Sequence, residues 1–395
     1  MKPSPFIMLS GTGLFAIFSS TISKSPVLPL FAEYLGADPS GVGLVASVSA
    51  FTGVVASIPA GLFSDRFGRK RMLVFSLLVF SSAPFLYLFV INLWQLALVR
   101  FYHGLATAIF VPVAMALVSD VYERTRGEKL GWFSTSTLIG RFMAPVVGGS
   151  IIGALVYSPL LSYRVVYLVC GGAALLALIL AIRLPSPRER EGERQSWDET
   201  LSAFKGVITN RAVVITSAVE AAILFAYGTF ETFIPLYSLK VGLSAYQIGV
   251  CLSAQVITLA ISKPMMGRVS DKHGRTPQIF VGAILGALCI GSFHLFGSFL
   301  TILALSILFG LSLSVVTSAT SAYIADLAKE EARGSAMGIL GSIMDIGHTT
   351  GPIVSGFAAT YFGFPWAFMG AAIVLAASSI LFWSGVMRHN QRLIL

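Results

Sequence analysis

Charged residues are scarce in this sequence, and their scarcity argues against a soluble fold. Only 11% of the 395 residues are Asp, Glu, Lys or Arg, whereas 55% are hydrophobic. A soluble domain typically carries about 25% charged residues. The apolar residues form runs close to the roughly 20 residues that a helix needs to cross a bilayer. The short alternating segments of a membrane β-barrel are lacking, so we predict an all-α polytopic membrane protein.

Several chemical signatures are also lacking. The three cysteines, Cys170, Cys251 and Cys289, lie in apolar runs without a CxxC pair or neighbouring histidines, which argues against disulfides and metal binding. No GxxxxGK loop for ATP, no Ser/His/Asp set and no cofactor loop stands out. We therefore expect no metal, no cofactor and no enzymatic activity.

The positive charge is distributed as membrane topology requires. The formal net charge is +9, but the basic residues lie in short loops rather than on one face, so we expect no nucleic-acid partner. Of the 27 Lys and Arg residues, 21 fall on one side of the predicted membrane. Because positive loops stay on the cytoplasmic side, we expect both termini in the cytoplasm and the chain in the cell inner (plasma) membrane.

Twelve apolar runs predict twelve transmembrane spans. They cover residues 6–31, 41–62, 72–91, 93–118, 128–156, 163–183, 212–238, 246–267, 276–296, 299–324, 333–361 and 364–386. The longest polar stretch lies near the middle of the chain and divides it into three parts. These are an N-terminal six-helix bundle, 1–183, a cytoplasmic linker, 184–211, and a C-terminal six-helix bundle, 212–395. Within the linker, residues 197–204 are typical of a short amphipathic surface helix.

The two halves of the chain form an internal repeat. An offset of 206 residues superimposes Pro29 on Pro235, Gly61 on Gly267, Asp65 on Asp271, Gly68 on Gly274, Arg69 on Arg275, Gly104 on Gly310 and Asp120 on Asp326. With one inserted residue the offset becomes 207 and pairs Arg126 with Arg333, Gly131 with Gly338, Gly140 with Gly347, Pro145 with Pro352 and Gly149 with Gly356. An even number of spans separates the copies, so both halves have the same orientation, as in parallel-repeat transporters.

Two repeated loops carry a distinctive pattern and are called the signature loops below. Residues 61–71 read GLFSDRFGRKR and residues 267–275 read GRVSDKHGR. Both resemble the signature loop of the major facilitator superfamily, and the resemblance covers the whole chain. It implies twelve transmembrane helices in two pseudo-symmetric six-helix bundles, the major facilitator fold. Alternatively, the loop charges only set the membrane topology.

The resemblance also implies a role for these loops as a latch between the halves on the cytoplasmic side. In such a latch Asp65 caps the start of span 11, and Arg69 pairs with Asp120 at the end of span 4. The predicted latch residues are Gly61, Asp65, Gly68, Arg69, Asp120, Gly267, Asp271, Gly274, Arg275 and Asp326.

Spans 4 and 5 contain two further motifs. Arg100 followed by Gly104 is similar to the span 4 motif of the same superfamily. The segment from Gly140 to Gly149 resembles a motif of exporters in that family, but Ala144 precedes Pro145 where the motif has Gly. Tight helix packing or a kink explains these residues equally well.

Ionisable residues inside spans are candidates for a substrate or proton pathway, because charges at bilayer depth are costly. The predicted pathway residues are Asp345, Arg141, Glu220, Glu231, Lys24, Arg100 and His348. Helical rise places Asp345 and Arg141 near the midplane of the membrane. His348 occupies the repeat position of Arg141 and lies one turn from Asp345.

Three of these residues have two open interpretations each. Lys24 and Glu231 form either an ion pair that closes the outer mouth or a static pair. Glu220 is either a proton carrier or a packing carboxylate paired with a basic residue. A set of aromatic residues either lines a cavity for lipophilic substrates or faces lipid; it comprises Phe15, Phe18, Phe225, Tyr227 and Phe230.

Together these features predict a monomeric secondary transporter that exports small amphipathic compounds, drug-like or metabolite, in exchange for protons. Its partners are then a small-molecule substrate, protons and membrane lipid. The alternatives are proton-coupled uptake of a polar or anionic metabolite, with Lys24 and Arg141 binding the anion, and a non-transporting membrane sensor.

Overall fold

A computed structural model of the protein describes residues 4–184, 211–327 and 333–394. Side chains are described throughout these ranges except at 57–66, 123, 333–339 and 387–394. The α-helices, in chain order, are α1 (Pro5–Ile22), α2 (Val27–Tyr34), α3 (Pro39–Phe67), α4 (Arg69–Tyr87), α5 (Leu93–Val121), α6 (Arg126–Ala154), α7 (Pro159–Ile182), α8 (Arg211–Lys240), α9 (Ala245–His273), α10 (Arg275–Ser292), α11 (Phe299–Leu327), α12 (Arg333–Phe362) and α13 (Phe364–Ile394).

The predicted all-α membrane fold is confirmed. Within the described ranges, eleven helical segments are long and apolar enough to cross a bilayer. The remaining predicted span, 333–361, coincides with α12 (Arg333–Phe362). The predicted linker, 184–211, lies almost entirely outside the described residues, and so does its predicted surface helix.

The first predicted span differs from the structure in one respect. Residues 6–31 were expected to form a single helix, but α1 ends at Ile22 and α2 begins at Val27. Pro26 causes this break because it has no N–H to donate and its ring clashes with the preceding helical turn. Lys24 lies in the break, where its side chain is partly exposed.

The described residues group into two compact units. The first contains 4–184 together with 244–253, the first turns of α9. The second contains 211–243 and 254–394. In the first unit α1 packs on α6 and α7, and α4 packs on α5 and α7; in the second α8 packs on α12 and α13, and α10 packs on α11 and α13. The helix pairs therefore repeat in the same order as the sequence.

The repeat extends to single backbone contacts inside each unit. A Cβ on Gly140 would lie 2.4 Å from the carbonyl oxygen of Leu14, and a Cβ on Gly347 would lie 2.2 Å from that of Ala221. The residues of both pairs are related by the same offset of 207. Glycine at these positions lets two helix backbones touch, as in other close membrane helix pairs.

Valine at position 347 should therefore destabilise the second unit. The added carbon would meet backbone rather than a movable side chain, so α8 and α12 must separate. Overpacking of this kind typically costs about 1–3 kcal/mol. We expect Gly347→Val to lower the thermal unfolding midpoint in detergent clearly more than Gly341→Val, since a Cβ on Gly341 meets no described atom within 4 Å. Equal midpoints for the two variants would contradict this packing.

Candidate functional site

Each signature loop turns at a glycine in a left-handed conformation. Gly68 separates α3 from α4 with φ +92°, and Gly274 separates α9 from α10 with φ +90°. L-residues with a side chain rarely adopt this backbone conformation. The two turns place an arginine as the first residue of the next helix, Arg69 in α4 and Arg275 in α10.

These two arginines bind carboxylates at the ends of α5 and α11. Arg69 Nε lies 3.0 Å from Asp120 Oδ2, and Arg275 Nε lies 3.1 Å from Asp326 Oδ2. Arg275 also contacts Asp271 in the same loop. The structure thus brings together Arg69 and Asp120, as the resemblance implied, and repeats the pair in the second unit.

The ion pairs of the loops are half exposed, so their effect on stability should be small. The side chains of Arg69 and Asp120 are 27% and 38% exposed, and exposed pairs contribute about 0.2–1 kcal/mol. In a double-mutant cycle of Arg69→Gln and Asp120→Asn, we expect a coupling free energy below about 1 kcal/mol that falls at high salt. A larger coupling that salt leaves unchanged would show a desolvated pair instead.

The structure shows fewer contacts for the other predicted latch residues. Gly61 and Asp65 lie on α3, but residues 57–66 have side chains outside the described set. Capping of span 11 by Asp65 therefore stays a prediction. Gly267 faces open space within the second unit.

Glu220 is the most deeply buried carboxylate among the described residues. Its side chain is 0% exposed on α8, and the Thr320 hydroxyl of α11 donates to its Oε2. Oε1 is buried and has no hydrogen-bond partner in the described part of the chain. The described residues place no cation within ion-pair distance, although Lys263 of α9 acts on Glu220 at longer range. An ionised carboxylate in such a site is costly, so its charge and its access to water are coupled.

A second acidic site lies farther along α8. Glu231 Oε2 is 3.2 Å from His348 Nε2 on α12, and the ring of Tyr227 stacks on His348 at a centroid distance of 5.4 Å. Glu231 is 9% exposed, whereas the side chain of His348 is 18% exposed. The structure thus joins two predicted pathway residues, an acid and an imidazole, in one contact.

The other predicted pathway residues occupy different positions. Asp345 is partly exposed on α12, and its backbone carbonyl accepts a hydrogen bond from the Thr349 hydroxyl. Arg141 is exposed on the surface of the first unit. Glu231 and Lys24 belong to different units, and their ion pair stays a prediction. Arg100 is buried in the first unit with only 2% exposure.

Neither interpretation of the aromatic set, cavity lining or lipid facing, holds for Phe230. Phe230 is fully buried and packs on Phe293 and Phe309, with centroid distances of 5.4 and 5.1 Å. It therefore belongs to the core of the second unit rather than to a cavity wall. Phe225 is also buried, and its carbonyl lies against Gly351. Tyr227 belongs to the site of Glu231 and His348, because its ring stacks on the imidazole of His348.

Glycines of the span 5 motif serve close packing within the first unit. A Cβ on Gly149 of the motif would lie 2.3 Å from the carbonyl oxygen of Ala245 on α9. In return, a Cβ on Gly249 of α9 would lie 2.3 Å from the carbonyl oxygen of Pro145 in the motif. Ser253 also donates to the carbonyl oxygen of Phe142. These contacts support the packing interpretation of the motif, in which Ala144 is fully buried.

Several partners of the site residues carry no signal in the sequence alone. Thr320 is one of many hydroxyl residues in α11, and only the structure shows that it binds Glu220. Tyr87 and Tyr167, which both interact electrostatically with Arg100, also come from separate helices and stack at a centroid distance of 4.2 Å. These partners can be identified only when the rotation of each helix about its own axis is known.

Comparison with known proteins places the chain in a family. A family model described as Major Facilitator Superfamily matches residues 9–251 and again 221–393. Multidrug resistance protein 1 of Bacillus subtilis is 27% identical over 87% of this chain and 87% of its own length. Multidrug resistance protein MdtG of Proteus mirabilis is 26% identical over 91% of this chain and 90% of its own length.

Solved structures show the same fold at low sequence identity. A bacterial homologue of the human lysosomal transporter Spinster, in an inward-facing and occupied conformation, matches 97% of this chain and 96% of its own with a TM-score of 0.83 and 14% identity. The nucleoside transporter NupG matches 98% of this chain and 99% of its own with a TM-score of 0.78 and 15% identity. With the matched family model, these findings show that the chain is a multi-pass membrane protein that belongs to the major facilitator superfamily of transporters.

Proposed function

We propose that this chain exports small amphipathic compounds across the inner membrane in exchange for protons. Export proceeds by alternating access, and both termini lie in the cytoplasm. The multidrug resistance names of the relatives in Bacillus subtilis and Proteus mirabilis support the substrate class. Export coupled to protons needs at least one protein group that binds a proton in one state and releases it in another.

The observation that carries this proposal is the burial of Glu220. Within the described ranges, this carboxylate has 0% exposure, one hydroxyl partner and one oxygen without a partner, so it gains or loses its charge only with a change in its surroundings. Such a group links protonation to the conformation of α8 and α11. Glu231 and His348 provide a second titratable contact on the same helix.

The signature loops fit a supporting role in this cycle. Their arginines hold the ends of α5 and α11 through Asp120 and Asp326. Because both pairs are half exposed and close to the turns, they can break and form at modest cost. We assign them to conformational control rather than to substrate binding.

Transport by the purified wild-type protein in proteoliposomes tests the proposal. The vesicles are loaded with an acidic buffer, and the membrane potential is clamped to zero with potassium and valinomycin. A panel of labelled compounds is then added outside; it comprises amphipathic cations, neutral drugs and organic anions. An antiporter accumulates substrate in acidic vesicles, whereas a symporter needs an alkaline lumen. For one proton exchanged per substrate, a gradient of one pH unit supports about tenfold accumulation.

The direction of the pH gradient that drives accumulation decides between the candidate functions. Accumulation of amphipathic compounds driven by an acidic lumen supports the proposed exchange. Uptake of organic anions driven only by an alkaline lumen would replace it with proton-coupled metabolite import. Absence of gradient-driven flux for every compound of the panel would contradict proton-coupled transport of these substrate classes.

A further inference from the structure

A buried cation in the first unit points to a separate binding site. Arg100 lies on α5 with 2% exposure, and the described residues provide no carboxylate within ion-pair distance. An arginine side chain keeps its charge at any relevant pH. A buried charge without a counter-charge is strongly unfavourable, so a partner of opposite charge is expected there.

The groups around Arg100 are neutral and can each donate a hydrogen bond. Arg100 is close enough to Tyr87, His103 and Tyr167 to interact with them electrostatically, and the Tyr87 oxygen lies 3.4 Å from His103 Nδ1. If the hydroxyl proton points to Nδ1, the neutral imidazole carries its own proton on Nε2. His103 Nε2, Arg100 Nε and the Tyr167 hydroxyl are all buried and have no hydrogen-bond partner among the described residues.

The cluster is compact and enclosed by rings. Arg100 and His103 lie on the same face of α5, three residues apart. Tyr87 stacks on Tyr167 with an interplanar angle of 8°, and Phe80 packs edge-on against His103 at 5.4 Å. His103 is 2% exposed and Tyr167 is 1% exposed. Such an aromatic enclosure favours a small ion over a bulky organic anion.

We propose that Arg100, His103 and Tyr167 form a binding site for a small monovalent inorganic anion of halide size. Water can accept hydrogen bonds from these donors, but it cannot neutralise the guanidinium charge. An anion does both, because it accepts from the N–H and O–H groups and offsets the cation. The site lies within the first unit and does not depend on the proton-coupled export proposed above.

Equilibrium binding of radioactive chloride to the purified protein tests this site. The protein is prepared in sodium gluconate, titrated with ³⁶Cl⁻ and compared with Arg100→Met and Arg164→Gln. Arg164 is an exposed cation of the same unit and reports non-specific charge effects. We expect saturable binding to wild type and to Arg164→Gln, and loss of saturable binding in Arg100→Met.

A second variant keeps the test decisive if Arg100→Met does not fold. Tyr167→Phe removes one donor and leaves the stack on Tyr87 in place. We expect its chloride affinity to fall about tenfold, the loss of one hydrogen bond to a charged group. No saturable chloride binding in wild type would overturn the proposal. So would unchanged affinity in Tyr167→Phe or in a folded Arg100→Met protein.

Discussion

Glutamine at position 220 should abolish gradient-driven accumulation while leaving the protein able to exchange substrate. The amide keeps the size of the side chain and can still accept from the Thr320 hydroxyl, but it cannot bind a proton. In vesicles with an acidic lumen and a gradient of one pH unit, accumulation should fall from about tenfold to about onefold. Exchange of labelled for unlabelled substrate without a pH gradient should continue.

A matched control separates loss of coupling from loss of fold. Glu128 is an acidic residue of α6 whose side chain is 56% exposed and contacts Lys129. Glu128→Gln makes the same chemical change at the surface and should keep wild-type accumulation. If Glu220→Gln also keeps it, Glu220 is a packing carboxylate and the proton binds elsewhere. If Glu220→Gln loses exchange as well, the replacement has damaged the substrate path or the fold, and Glu220 cannot be assigned to coupling alone.

The fold was largely predictable because the signals for it are local or periodic. Apolar runs of sufficient length identify spans without knowledge of their neighbours. The repeat then carries information about packing, since the Gly140 contact with Leu14 and the Gly347 contact with Ala221 obey one offset. The break before α2 was missed, although Pro26 is visible in the sequence. Proline in membrane helices often leaves the helix continuous, as Pro235 does in α8.

The candidate site was predictable only in part, for a physical reason. Arg69 and Asp120 could be paired because loop charges at the ends of adjacent helices have few possible partners. Glu231 could not be paired with His348, because their contact depends on how α8 and α12 are rotated about their axes. Helical periodicity fixes which residues of one helix share a face but not which helix that face meets.

The contact between Glu231 and His348 predicts that the effects of replacing the two residues are not additive. Glu231→Gln and His348→Gln each remove one partner of the 3.2 Å contact. Both side chains make other interactions, so each single variant has a cost of its own. A double-mutant cycle isolates the shared part, which we expect to be about 1–3 kcal/mol in substrate affinity or transport rate.

The pH dependence of this coupling identifies its physical nature. An imidazole titrates between about pH 5 and 8, and only the protonated ring forms a charge-assisted bond with a carboxylate. The coupling between Glu231 and His348 should therefore be larger near pH 5.5 than near pH 8. His273→Gln changes an exposed imidazole at the end of α9 and should show no coupling to Glu231→Gln at either pH. Additive single effects at both pH values would mean that the two residues act independently, and the second titratable contact would then have no part in transport.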